Sequence, residues 1–343
     1  MNRMKTVIGL RRDGLGARLM TIANGLRLAR LLDVPFCFAW ISDKALANIE
    51  REEIDYSIPF PDDTLNIPIF DSSAMAEAGA RFGTIDDCLL YSEPYSLFAD
   101  SASAMISRSE VSSADAVLCS CAHFQRFDDE PYMEARSSLS NAFGAVYPNA
   151  RIALRAAGFL ANHDLRSALG VHVRRGDLLE HPIGGPHRNR VVDLPRYFRL
   201  IDRIGESRPL FLCTEASDVI EAFHARYPGR VTTFPATSWD RSSPAAVADA
   251  FAEILLLSET ATIIAGNSAF SRAAAGRGMK PLLMLREVDV AENDLVAANE
   301  LLHFGHLDHA ALLLDGRPER PDDERGRAAK AKLERLQAAR RAG

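Results

Sequence analysis

Three short stretches carry side chains whose types and spacing could do chemistry. The sharpest is Gly170-Val171-His172-Val173-Arg174-Arg175-Gly176-Asp177, where an apolar, strand-like run passes straight into two arginines, a glycine and a carboxylate. Guanidinium forks bind phosphate bidentately and stay charged, so adjacent arginines at the carboxyl end of a strand suit a pyrophosphate that must leave as an anion. Gly176 permits a sharp turn, and Asp177 can then be aimed into the same cleft. A surface salt-bridge cluster is the plain alternative; the preceding run, which reads as buried on both faces, favours a site. The second stretch runs from Glu253 to Ser258 and on through Thr262-Ile263-Ile264-Ala265-Gly266-Asn267-Ser268-Ala269-Phe270-Ser271. It reads as helix, strand, polar turn and helix start. Asn267, Ser268 and Ser271 are short hydrogen-bonding side chains near a helix N-terminus, where caps and phosphate oxygens compete for amide protons. Capping alone accounts equally well for Ser268. The third is Asp13-Gly14-Leu15-Gly16, a glycine turn between a strand and a helix. As a dinucleotide fingerprint it is broken, because Leu19 stands where a third small residue belongs and Asp43 comes later than the acidic residue expected roughly 20 positions on. A tight turn without a ligand is its plainer reading.

These stretches need a frame, and the pattern supplies one of alternating strands and helices. Thr6 to Leu10 reads as a strand, Leu15 to Leu32 as a helix with apolar residues at helical spacing, Val34 to Trp40 and Ala116 to Ser120 as further strands. Between residues 42 and 115 the prolines and polar clusters leave the pattern irregular. Two helices follow between Pro131 and Asn162, broken near Tyr147-Pro148. A second series has strands near 169–174, 209–213, 230–234, 261–265 and 281–285 with helices between. Two such α/β series predict two Rossmann-like halves facing across a cleft, with ligands at the carboxyl ends of strands. The expected divisions are 1–160, 161–292, and a helical extension with a charged tail over 293–343. The tail from Gly316 reads as solvated helix or disorder rather than as a docked element.

Composition narrows the function. The chain has 343 residues, 47% of them hydrophobic and 25% charged, so it can bury a sizeable core and is too long for a single small binding module. A net charge of -6 supplies no global positive field for nucleic acid. Five scattered cysteines, Cys37, Cys88, Cys119, Cys121 and Cys213, suit buried free thiols in a reducing, cytoplasmic compartment. Neither a signal peptide nor a run of about 18 apolar residues is visible, so no integral membrane segment is expected and any membrane association would be peripheral. His303, His306 and His309, spaced by three, rotate around a helix rather than stacking on one face, and read as solvent-facing or packed histidines rather than metal ligands.

Taken together, the glycine turn, His172-Val173-Arg174-Arg175-Gly176-Asp177, and Glu253 fourteen positions before Asn267-Ser268-Ala269-Phe270-Ser271 resemble the bacterial alpha-1,2-fucosyltransferases and their alpha-1,6 and protein O-fucosyltransferase relatives. Leu212-Cys213-Thr214-Glu215 with Asp218 adds a weaker echo where that family tends to carry a strand ending in Ser-Asp-Asp. The resemblance covers roughly residues 5 to 285. It implies a GT-B fold, an N-terminal acceptor half and a C-terminal donor half, and inverting, metal-independent transfer of fucose from GDP-fucose to a glycan or lipid-linked glycan. By the same resemblance Arg174, supported by Arg175, would hold the donor phosphates together with Ser268, Asn267 and Ser271. Glu253 would meet the guanine, and His172 would lie against base or ribose. Gly14 and Gly16, in the N-terminal turn, would also belong to the donor-binding set. Departures fall at Ala17-Arg18, where the family usually has Asn-Gln, and at Arg272-Ala273, where it carries bulky aromatics.

The residues support the same mechanism on physical grounds. No two aspartates are separated by one residue, so the Asp-x-Asp metal clamp of the other common glycosyltransferase architecture is missing, and no cofactor is expected. Protein must then neutralise the diphosphate, through Arg174, Arg175 and a helix N-terminus. Inversion needs a base for the acceptor hydroxyl, and Asp177 and Glu180 are the nearest carboxylates, with no ground for choosing between them. Acceptor contacts would come from loops at 42–115 and 180–195. The rival readings are a dinucleotide-dependent oxidoreductase built on the glycine turn and a non-catalytic nucleotide-sugar-binding protein.

Overall fold

The computed structural model describes residues 6–11, 14–40, 69–70, 89–91, 103–106, 108, 116–119, 121–175, 191–205, 207–238, 243–286, 290–315 and 323–342. The chain divides into two compact units. One comprises Met1–Asn162, Pro235–Ser258 and Arg272–Met279; the other comprises His163–Phe234, Glu259–Ser271 and Lys280–Gly343.

In the first unit the strands are β1 (Thr6–Arg11), β2 (Phe36–Trp40), β3 (Ile69–Phe70), β4 (Leu89–Tyr91), β5 (Ser103–Ile106), β6 (Ala116–Cys119) and β7 (Phe124–Phe127). Five of them form a parallel sheet in the order β3-β2-β1-β6-β4, with β5 and β7 pairing separately. Helix α1 (Leu15–Leu32) takes the bounds its apolar spacing predicts and ends where Asp33 adopts a left-handed conformation, φ 53°. Its packing against β1 and β2 depends on room. A Cβ on Gly25 would stand 2.2 Å from Phe36 Cε2, and one on Gly9 would stand 3.2 Å from the same atom. The two glycines thus form the slot that admits the Phe36 ring.

The polar residues of α1 also recur at every third position, and they read the main chain beyond β6. Thr21 Oγ1 donates to Cys121 O (3.2 Å), Asn24 Nδ2 to Cys121 O (3.1 Å) and His123 O (2.7 Å), and Arg27 Nη1 to Gln125 O (3.2 Å). Arg27, almost wholly buried, also pairs with Glu130, whose Oε2 accepts from Phe127 N at 3.1 Å. This stripe satisfies main-chain groups that burial would otherwise leave unpaired. Helices α2 (Tyr132–Phe143) and α3 (Ala150–Leu160) follow, the latter capped by Asn149 Oδ1 on Ile152 N at 2.9 Å.

The second unit holds β8 (Leu169–His172), β9 (Leu210–Cys213), β10 (Val231–Thr233), β11 (Thr262–Ala265) and β12 (Leu282–Met284). All pair in parallel in the order β10-β9-β8-β11-β12. Numbered within the unit this is 3-2-1-4-5, so the connection direction reverses between β8 and β11, the topological switch point of a doubly wound sheet. Helices α4 (Leu194–Ile204) and α5 (Ser217–Arg226) connect the first three strands; α6 (Pro244–Glu259) and α7 (Ala269–Gly278) flank β11 in sequence, but α6 up to Ser258 and α7 from Arg272 on belong to the first unit. Tyr197, Leu200, Ile201 and Ile204 line the buried side of α4 at helical spacing.

Helices α8 (Val290–His303), α9 (Leu307–Asp315) and α10 (Glu324–Ala342) complete the unit. Here the expectation for the tail is corrected. Residues 324–342 form a helix that is neither disordered nor merely solvated: Ala329 and Leu333, 3% and 6% exposed, join the core of Leu169, Val171, Leu210 and Leu283. The two apolar residues lie four apart on one face, and partly buried Leu336 packs against the same core, seating a helix that is otherwise rich in charge. Among the described residues no helix is long and apolar enough to cross a membrane. Cys119, Cys121 and Cys213 are buried and Cys37 is half-buried, all four outside any disulfide, while Cys88 lies outside the described residues.

Candidate functional site

The carboxyl ends of β8 and β11, neighbours at the switch point, deliver two of the three stretches singled out in the sequence. His172 stands opposite Ala265 in the ladder. Beyond β8 come Val173, Arg174 and Arg175; beyond β11 come Gly266, Asn267 and Ser268, and then the first turn of α7. Ligands of doubly wound sheets bind in the crevice outside the strand ends at this position.

The local bonds show how the turns are held. Val173 N donates to Cys213 O at 3.0 Å, carrying the β8–β9 ladder one residue past the strand. Arg175 N then donates to the carboxylate of Glu215, 2.9 Å from Oε1. Thr214 Oγ1 accepts from Ala216 N at 3.3 Å and shapes the chain between β9 and α5. On the β11 side Ser268 Oγ accepts from Phe270 N (3.3 Å), and Ser271 Oγ, wholly buried, donates to Ser268 O (3.0 Å). Both serines therefore serve the turn itself, which presents the N-terminus of α7, an end that favours anions.

His172 joins the two sides. Its ring stacks on Phe270 with centroids 4.6 Å apart and planes at 22°. It is 6% exposed, and Nδ1 is buried with no hydrogen-bond partner. Burial, with the Arg174 charge adding to it, pushes the pKa down from 6.5 to about 3, so the imidazole is neutral at ordinary pH. Below 6.5 the unfolded chain binds a proton here that the folded chain refuses until about 3. Stability is therefore complete above that window and falls as pH falls through it, by up to about 1.4 kcal/mol per pH unit. Replacing His172 with Phe keeps a ring against Phe270 and removes the titration. Chemical denaturation at pH 7.5 and 4.5 is expected to show a smaller acid loss in His172→Phe than in wild type, and equal losses would contradict the buried neutral state.

Arg174 and Arg175 are both half-buried at the end of β8. A further arginine lies at the same edge of the sheet, just past β12: Leu285 N bonds Ala265 O at 2.8 Å, and the next residue, Arg286, is gripped by Asn293. Arg286 N donates to Asn293 Oδ1 (3.0 Å) and Asn293 Nδ2 donates to Arg286 O (2.9 Å). Arg286 and Asn293 belong to no motif that the sequence offers, and Glu215 reads there only as an echo.

The structure thus gathers His172, Arg174, Arg175, Asn267, Ser268 and Ser271 in the second unit. Gly176, Asp177 and Glu180 lie outside the described residues. Gly14, Gly16 and Glu253 belong to the first unit, Glu253 buried on α6 and Gly16 buried in the first turn of α1. Gly14 precedes α1 with φ -57°, and a Cβ there would meet nothing within 4 Å, so neither strain nor crowding demands glycine at that turn. Among the described residues no group of three or more His, Cys, Asp and Glu is placed to hold a metal ion.

Two α/β units, the second a doubly wound parallel sheet with basic and polar side chains at its switch point, define a Rossmann-like type of fold. It is the fold of fucosyltransferase NodZ from Bradyrhizobium: that structure matches with a TM-score of 0.50 at 18% identity, over 82% of this chain and 94% of that one. A mutant of Arabidopsis thaliana FUT1 in complex with GDP matches at 0.42 and 11% identity, over 82% of this chain and 70% of that one. POFUT1 in complex with GDP matches at 0.40 and 9%, over 83% and 99%. No family profile matches the sequence, and no curated protein is similar to it at a significant level.

Proposed function

We propose that this protein is an inverting, metal-independent glycosyltransferase that moves fucose from GDP-fucose to a hydroxyl of a glycan or lipid-linked glycan acceptor. One observation carries the reading: strands paired at the switch point bring Arg174-Arg175 and the N-terminus of α7 to the same end of one sheet. Two arginines and a helix N-terminus at one end of a sheet suit a diphosphate whose negative charge grows as it leaves. The NodZ-like fold supports fucose as the transferred sugar.

In this reading Arg174 holds the diphosphate with Arg175 beside it. Asn267 and the α7 turn shaped by Ser268 and Ser271 complete the anion site. His172, neutral and with a buried Nδ1 lacking a partner, takes a ribose hydroxyl or lies along the base. Asp177 or Glu180 deprotonates the acceptor hydroxyl, and by the family resemblance Glu253 would meet the guanine while Gly14 and Gly16 would join the donor-binding set. The enzyme works in a reducing cytoplasm, and the resemblance to alpha-1,2 enzymes makes that linkage the one to test first. An oxidoreductase would instead bind NAD(H) at the N-terminal glycine turn, whose fingerprint Leu19 breaks.

Calorimetric titration with GDP, GDP-fucose and GDP-mannose in the presence of EDTA tests this. GDP is expected to bind without divalent metal, with GDP-fucose preferred over GDP-mannose and transferred to acceptor. Binding of NAD(H) and not GDP would overturn the proposal, and GDP-fucose binding with neither transfer nor slow hydrolysis would leave a non-catalytic binder.

A further inference from the structure

Parallel ladders advance by two residues on each strand, and β8 and β9 show that rhythm: Leu169 N bonds Pro209 O (2.9 Å) and Val173 N bonds Cys213 O (3.0 Å). The next donor in the series is Arg175 N, and the next main-chain acceptor is the carbonyl of Glu215. The bond is made to Glu215, but to its side chain: Oε1 lies 2.9 Å from Arg175 N. A carboxylate has taken the place of a carbonyl. The two chains can then separate at this point, β9 turning through Ala216 into α5 while the Arg174-Arg175 backbone remains fastened at Arg175, three residues beyond the end of β8.

We propose that Glu215 is the positioning residue of the arginine pair, fixing the backbone that carries Arg174 and Arg175 so that both guanidinium groups are held ready for the diphosphate. The inference rests on the donor-site reading above and adds a residue to it. Glu215 acts through the backbone amide and needs no contact with the ligand. Reach and accepting ability are the properties that matter, and they can be separated from charge. Gln keeps the length and an accepting oxygen, Asp keeps the charge but is one methylene short, and Ala keeps neither.

Glu215→Gln, Glu215→Asp and Glu215→Ala are compared by amide hydrogen exchange at Arg175 in the unliganded protein, by GDP titration, and by steady-state transfer kinetics, with the unfolding midpoint as control. Expected is fast exchange at Arg175 in Glu215→Asp and Glu215→Ala and wild-type protection in Glu215→Gln. With it goes about tenfold weaker GDP binding in the first two and affinity within about twofold of wild type, or tighter, in the third. The kinetic loss in Glu215→Ala falls on KM for the donor more than on kcat. Unchanged Arg175 exchange in Glu215→Ala overturns the proposal, as does wild-type GDP affinity in a variant whose Arg175 exchange is fast. If wild type protects Arg175 yet binds no GDP, the donor-site reading fails with the bond intact, and the positioning role falls with it.

Discussion

Arg174→Ala is expected to lower kcat/KM for the donor by about 10²- to 10³-fold, the usual consequence of deleting one preorganised charge contact to a leaving group. The loss arises because the diphosphate gains charge in the transition state, where a fixed guanidinium stabilises it more than it stabilises bound donor. Arg174 sits half-buried past the end of β8, outside the core of the second unit, so the unfolding midpoint is expected to change little. Lysine at 174 keeps a charge and loses the fork, giving an intermediate rate. The measurement is donor-dependent initial rates with GDP titration alongside. An Arg174→Ala protein within twofold of wild type in both would remove the diphosphate from the end of β8.

The largest stability effect is expected in the first unit, where Glu130→Ala leaves the buried Arg27 guanidinium without its counter-charge. Arg27 is 0% exposed along its side chain and Glu130 11%. Breaking a buried pair from one side costs about 3–5 kcal/mol, since the remaining charge stays desolvated. Glu130 also accepts from Phe127 N, so β7 loses an anchor at the same time. Removing both charges, in Arg27→Leu with Glu130→Leu, is expected to recover a large part of the loss. Urea denaturation checks this; a Glu130→Ala loss below about 1 kcal/mol would mean that water reaches Arg27.

Much of the frame is legible in the sequence because burial writes itself into period and composition. Helix α1 follows from the apolar spacing of Leu19, Ile22 and Leu26, and the five strands of the second unit follow from short apolar runs bounded by turns. The expected two-part α/β architecture stands. Elements held by polar bonds leave no such trace. Arg18, Thr21, Asn24 and Arg27 recur every third residue, yet periodicity cannot say that three of them serve as donors to residues 121–125. Helix α10 escapes the pattern because Ala329 and Leu333 are its main anchors in a segment dominated by charge. At the site, residue types at the ends of β8 and β11 are readable. The use of Glu215 is not, since a side chain standing in for a carbonyl depends on register between strands 40 residues apart in sequence.

The docking of α10 also bears on the order in which the protein is built. Chains emerge from synthesis N-terminus first, and domains tend to fold as soon as their residues are available. The first unit recruits residues up to Met279, and the core of the second includes Leu333. The first unit therefore cannot be completed before Met279 has emerged, nor the core of the second before Leu333. The strands of the first sheet are all made by Phe127, so the nascent protein carries that sheet before the later helical segments assigned to its unit have been synthesised. Apolar surface left open in that interval is what chaperones capture.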